Sequence, residues 1–157
     1  KGDVEVPFAK GKGSFIVSGR RTYIDALAQP IILALNNGNS AGYYFYDFNA
    51  KANYEIDDKN RVYLSGYFGR DKFYLNVKET FDDQSYKSKV NFGWGNATGT
   101  ARWNRIVNPK LFSNTSLIYS FYELAIKAEE EENGDPLFSL QYGSGIRDFS
   151  LKQDFDW

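Results

Sequence analysis

Tyr43-Tyr44-Phe45-Tyr46-Asp47-Phe48-Asn49-Ala50-Lys51-Ala52-Asn53-Tyr54-Glu55-Ile56 is the stretch on which the fold turns. Successive side chains of a β-strand point to opposite sides, so a strict two-residue alternation marks a strand with two different faces. Here Tyr44, Tyr46, Phe48, Ala50, Ala52, Tyr54 and Ile56 fall on one face. Asp47, Asn49, Lys51, Asn53 and Glu55 fall on the other, behind Tyr43 and Phe45. Strands of globular proteins usually run about 5–6 residues. Crossing a bilayer at a tilt takes about 9–11, and this stretch is longer still.

The same alternation recurs outward from it. Phe15, Val17, Gly19 and Tyr23 oppose Ser14, Ser18 and Arg20, while Val62, Leu64, Gly66 and Phe68 oppose Tyr63, Ser65, Tyr67 and Asp71. Ala97, Gly99, Ala101 and Trp103 oppose Thr98, Thr100, Arg102 and Asn104. Phe149, Leu151, Phe155 and Trp157 oppose Asp148, Ser150, Lys152, Asp154 and Asp156. The phase blurs over Phe92–Asn96, where Gly93 and Gly95 suggest a bulge. Seven strands are expected, at about 2–8, 14–23, 43–56, 61–75, 86–107, 111–126 and 138–157. The connectors then alternate: short at Ala9–Gly13, long at Ile24–Gly42, tight at Asp57–Asn60, medium at Asn76–Ser85, short at Asn108–Lys110 and longer at Lys127–Leu137. Tight turns at one rim and longer loops at the other are the habit of transmembrane barrels. Tyr23–Asn36 is spaced like a short amphipathic helix broken at Pro30, or else continues the preceding strand.

Composition supports a membrane wall and excludes much else. The chain of 157 residues has 13 Phe, 12 Tyr and 3 Trp, an aromatic share of 18%, yet its mean hydropathy is −0.53. A sheet with lipid on one side and water on the other accommodates both, with aromatic girdles at the interfaces. The net charge of −1 gives no footprint for nucleic acid. With neither Cys nor His there is no thiolate nucleophile and no imidazole base. Paired carboxylates at Asp57/Asp58, Asp82/Asp83 and Asp154/Asp156 fit solvated turns or a polar strand face better than a glycosidase cleft. Glu129–Glu132 with Asp135 fits a solvated outer loop better than a Ca²⁺ loop. No metal or cofactor is expected, and the chain is expected not to be an enzyme. The faces assign Tyr46, Phe48, Tyr54, Leu64, Phe68, Trp103, Phe149 and Leu151 to lipid. Arg20 is expected among the charges of the polar face and Arg21 at the rim.

Ser14-Phe15-Ile16-Val17-Ser18-Gly19-Arg20-Arg21-Thr22-Tyr23-Ile24-Asp25 resembles a segment near the start of the barrel in TonB-dependent outer-membrane receptors of the Bacteroidetes kind. So do Tyr43–Lys51, Asp58–Tyr67, Phe92–Thr98 with Arg102-Trp103-Asn104, and Ser144-Gly145-Ile146-Arg147-Asp148. The matches run in family order over most of the chain. The resemblance implies an antiparallel up-and-down transmembrane barrel of 22 strands, residues 1–157 being about its second to eighth. A plug domain and the remaining strands would complete it. It also implies an active-transport receptor of the bacterial outer membrane that takes up a metal chelate, vitamin or glycan. The partners would be outer-membrane lipid, the plug, an inner-membrane energy-transducing complex and a surface lipoprotein. Asp47, Asn49, Lys51, Asn53, Arg102, Asp148 and Lys152 would then face the lumen and touch plug or solute. Seven strands cannot close such a barrel, so the chain is expected to be part of a longer one and not to fold alone. The alternative is a soluble β-barrel or β-sandwich, binding or structural, with the aromatic faces as its interior.

Overall fold

The computed structural model describes residues 2–23, 27, 30–32, 34 and 39–157. Among these the chain forms one antiparallel sheet of seven strands in sequential order with no crossover. They are β1 (Gly2–Phe8), β2 (Gly13–Arg21), β3 (Ser40–Asp57), β4 (Asn60–Phe81), β5 (Gln84–Asn108), β6 (Leu111–Glu132) and β7 (Asp135–Asp156). This is the up-and-down architecture the alternation predicts. The turns at 9–12, 58–59 and 109–110 lie at one rim, and the connections 22–39, 82–83 and 133–134 at the other. The expectation for Tyr23–Asn36 falls mostly outside the described residues.

Two expectations about connectors are corrected. Asn76–Ser85 is not a medium loop and Lys127–Leu137 is not a long one; β4, β5, β6 and β7 run on to 22, 25, 22 and 22 residues and turn tightly. Both turns have two central residues at positive φ, Asp82 and Asp83 at 49° and 63°, Asn133 and Gly134 at 53° and 92°. That geometry matches the right-handed twist of the paired strands, and Asn-Gly is its strongest sequence sign. The charge density that resembles loop sequence is strand sequence held by pairs. Lys89 lies 3.1 Å from Glu131, and Tyr86 donates to Glu132 at 2.8 Å. The sorting of connector lengths by rim therefore reduces to the single long connection at 22–39.

The bulge expected around Gly93 and Gly95 is also absent. Register runs unbroken through Phe92–Asn96 on both sides of β5, and the irregularities fall at Glu55/Asp57, Ile106/Asn108 and Glu130/Glu131. What changes there is which face is apolar.

No hydrophobic side chain is buried among the described residues. Phe48 and Leu64 remain 48% and 58% exposed. The soluble alternative needs a second layer over these side chains, and the single sheet provides none.

Candidate functional site

Register sorts the side chains into rungs, because directly paired residues point to the same side. On one face the rungs Phe15–Ala52–Leu64–Ala101–Leu117–Leu151 and Val17–Ala50–Gly66–Gly99–Tyr119–Phe149 are wholly apolar. Phe48, Phe68, Ala97 and Phe121 close this band on one side, and Tyr54, Val62 and Trp103 on the other. All eight residues assigned to lipid lie on it. The band is about seven to nine residues deep along β3. At about 3.3 Å per residue and a 35–45° tilt, that is roughly 16–24 Å, approaching the ~25 Å apolar belt of transmembrane barrels.

Aromatic side chains gather at both margins. Phe8 stacks on Tyr54 with centroids 5.9 Å apart, and Trp103 donates its indole N–H to Asn60 Oδ1 at 3.0 Å. At the other margin Tyr46 and Phe68 lie 6.1 Å apart, Arg147 sits over Phe121, and Arg21 sits over Tyr44. Amphipathic rings and long cationic side chains of this kind belong where hydrocarbon meets water.

The opposite face at the same level is polar. Ser14–Asn53–Tyr63–Arg102–Ser116–Lys152 form one rung and Ser18–Asn49–Tyr67–Thr98–Ser120–Asp148 another. Lys51 and Asp47 sit on the rungs between and beyond. The seven residues assigned to the lumen therefore share one face across β3, β5 and β7. Several hold each other in place. Arg20 pairs with Asp47, which is only 8% exposed, so Arg20 does join the charges of the polar face. Asn53 donates to Ser14 Oγ at 2.8 Å, and Arg102 donates to Ser116 Oγ at 3.3 Å. Lys152 lies 3.2 Å from Asp154. Glu5, Lys51, Asn53 and Arg102 line a groove of about 400 Å³ with both signs of charge. Such a lane can hydrate, orient and hold a polar solute or a packed domain.

No family model and no curated protein sequence matches the chain. Two of the solved structures similar to it illustrate the likeness. One is the translocator domain of autotransporter NalP from Neisseria meningitidis, at 14% identity and a TM-score of 0.39 over 96% of this chain and 52% of that one. The other is the siderophore receptor PirA from Pseudomonas aeruginosa, at 10% identity and a TM-score of 0.28 over 96% of this chain and 35% of that one. The chain thus spans about half the length of the first and about a third of the second.

Beyond the band, toward the 82–83 and 133–134 turns, the polarity of the two faces exchanges. The band face becomes charged, with Arg70, Lys72, Glu123 and Lys127 in succession. The other face becomes apolar, in the rungs Tyr43–Phe73–Phe92–Ile126–Tyr142 and Ala41–Leu75–Val90–Ala128–Leu140. Phe92 and Trp94 lie 5.1 Å apart, Trp94 and Tyr43 6.2 Å, and Tyr43 donates its hydroxyl to Asp71. That hydrogen bond raises the Tyr43 phenol above its ordinary pKa. Sequence reasoning missed this aromatic shelf. Its signal was there: Leu64, Gly66 and Phe68 give way to Phe73, Leu75 and Val77, a switch from even to odd positions.

Proposed function

We propose that this chain is a stretch of the wall of a bacterial outer-membrane β-barrel that takes up a scarce nutrient. The observation that carries the wall is the exchange of polarity at one level across β4 to β7. A sheet covered by a second protein layer stays apolar on one face throughout. A sheet that leaves hydrocarbon for water stops being apolar on that face at a fixed height, and the change from Phe68 to Arg70 and from Phe121 to Glu123 supports that reading.

On this reading the 22–39 rim is the outer one, since transmembrane barrels place short turns on the periplasmic side and longer connections outside. The polar lane lines the lumen and meets a plug or a solute. The aromatic shelf, above the membrane on the lumenal face, offers flat apolar surfaces beside the acceptor Asp71. No residue of the chain does covalent chemistry. The open edges of β1 and β7 pair with further strands, because unpaired backbone N–H and C=O groups in hydrocarbon each cost about several kcal/mol. The sequence resemblance to TonB-dependent receptors supports uptake of a metal chelate, vitamin or glycan, driven from the inner membrane.

These 157 residues contain no cysteine, so introduced cysteines report cleanly once any cysteine elsewhere in the full-length protein is replaced by Ser. Single cysteines at Phe48, Leu64 and Leu151 in the full-length protein are expected to resist a water-soluble maleimide in intact membranes. Cysteines at Asn49, Ser65 and Ser150 are expected to react. Equal reactivity on both faces overturns the wall. Loss of energy-dependent accumulation of one nutrient from a panel of chelates, vitamins and glycans, in cells lacking the protein, tests the uptake.

A further inference from the structure

The charged part of the band face is built in a way that solvation alone does not require. Arg70 and Lys72 of β4 lie across Gly95 and Gly93 of β5. A Cβ added at those glycines would sit 3.6 Å from Arg70 Cγ and 3.8 Å from Lys72 Cγ. Together with Lys127 of β6 they border a groove of about 330 Å³, floored by Gly93 and Ala125 and reached by Tyr74 and Gln141. Only part of this positive charge is neutralised. Arg70 pairs through Nη2 with Glu123, but its Nε–H is buried without a hydrogen-bond acceptor among the described residues. Lys127 lies 2.6 Å from Glu129. Lys72 has no ion-pair or hydrogen-bond partner among the described residues. Above the band as a whole, Arg21, Arg70, Lys72, Lys78, Lys87, Lys89 and Lys127 outweigh Glu123, Glu129 and Glu131 on this face.

A second groove lies below, within the band, where Gly66 and Gly99 leave a trough between Phe15, Leu64, Leu117 and Phe149 of about 480 Å³. The two grooves are offset along the same strands by about six residues, roughly 20 Å at 3.3 Å per residue. An apolar trough below a cationic cradle, at the level where hydrocarbon ends, has the layout of one amphiphile.

We propose that Arg70, Lys72 and Lys127 form a binding site for the phosphate-bearing headgroup of an outer-leaflet glycolipid, whose acyl chain lies in the trough over Gly66 and Gly99. The proposal rests on the barrel-wall reading above. Guanidinium and ammonium groups suit phosphate as fork and point charge respectively. Lys72 Nζ, without a partner among the described residues, is the donor left over for it.

The test uses the full-length protein in nanodiscs that contain a phosphorylated glycolipid diluted in zwitterionic phospholipid, with lipid retained after detergent exchange counted by native mass spectrometry. Each basic group near a membrane surface strengthens anionic-lipid binding about fivefold. K72Q/K127Q is therefore expected to weaken retention roughly 25-fold, and R70Q/K72Q/K127Q roughly a hundredfold. K78Q/K87Q, two rungs or more from the cradle, is expected to change it less than about threefold. The double variant leaves the Arg70–Glu123 pair intact and so stays informative if the triple variant assembles poorly. Unchanged retention in K72Q/K127Q, with wild-type insertion in zwitterionic lipid preserved, overturns the glycolipid site alone. Failure of the wild-type protein to insert in either lipid overturns the wall reading and the site with it.

Discussion

Arg70 on β4 reaches over Gly95 on β5 to Glu123 on β6, with Nη2 2.7 Å from Oε1. Side chains two strands apart meet only if the strand between carries nothing in the way. A Cβ at Gly95 would stand 3.1 Å from the Gly69 carbonyl oxygen and 3.6 Å from Arg70 Cγ. Gly95→Leu is therefore expected to destabilise the wall by about 1–3 kcal/mol through overpacking. Glu123→Gln, which loses only the partly exposed pair, is expected to cost less than about 1 kcal/mol. Urea midpoints in lipid vesicles compare the two. Equal effects would mean that Gly95 merely tolerates the pair and does not make room for it.

Leu64 and Ser65 are neighbours in sequence on opposite faces. Leu64→Arg places a charge at the middle of the apolar band, where transmembrane barrels lose about 2–4 kcal/mol. Ser65→Arg adds the same group among Lys51, Thr100 and Arg102, where it stays hydrated, and is expected to cost less than about 1 kcal/mol. A vesicle-refolding titration in urea reads both. A larger loss for Ser65→Arg reverses the assignment of faces.

The parts of this arrangement differ in how openly the sequence displays them. The alternation of Tyr46, Phe48 and Tyr54 with Asp47, Asn49 and Asn53 displays both faces, because along that stretch each face keeps one polarity. Asn76–Ser85 and Lys127–Leu137 resemble loops because both of their faces carry polar groups and hydropathy no longer alternates simply. What extends those strands is pairing between distant residues, such as Lys89 with Glu131. Asn133-Gly134, a local turn signal, is obscured by the surrounding carboxylates. The aromatic shelf was hidden for another reason. Phe92 and Trp94 belong to one face and Ala97 to the other, and the shift of phase resembles a bulge until the register is known.

Asp57 makes the tight turn to β4 pH-sensitive. Its carboxylate accepts the Lys59 amide at 2.8 Å and the Asn60 side-chain amide at 2.9 Å. The Asn60 hydrogen bond first, and the Lys59 amide second, hold its pKa below the usual carboxylate value. A carboxyl with a depressed pKa stabilises the folded turn above its unfolded pKa and ceases to do so as pH falls through the folded one. The turn is therefore expected to tighten fully by about pH 5 and to loosen below about pH 4. Amide hydrogen exchange of Lys59 and Asn60, corrected for intrinsic rate, follows it. Asp57→Ala should abolish the acid transition, and a transition that persists in that variant assigns it to another group.

The three tryptophans offer a direct reading of the exchange of faces. Trp103 stands on the band face at its lower margin, anchored through Asn60 Oδ1. Trp94 stands on the opposite face, above the band, beside Tyr43 and Phe92. Trp157, fully exposed, is removed as Trp157→Phe. Phospholipids brominated along the acyl chain quench an indole only within contact range of hydrocarbon, while iodide reaches only indoles open to water. In the full-length protein, Trp94→Phe in this background leaves Trp103, whose emission should be quenched by brominated lipid and shielded from iodide. Trp103→Phe leaves Trp94, which brominated lipid should not quench. A ligand seated on the aromatic shelf should shift Trp94 emission and leave that of Trp103 unchanged. Other tryptophans of the full-length protein are replaced by Phe so that each signal has one source. Quenching of Trp94 by brominated lipid would place the shelf in hydrocarbon. The polarity of the two faces would then not exchange at the membrane boundary, and the upper extensions of β4 to β7 would lie within the bilayer.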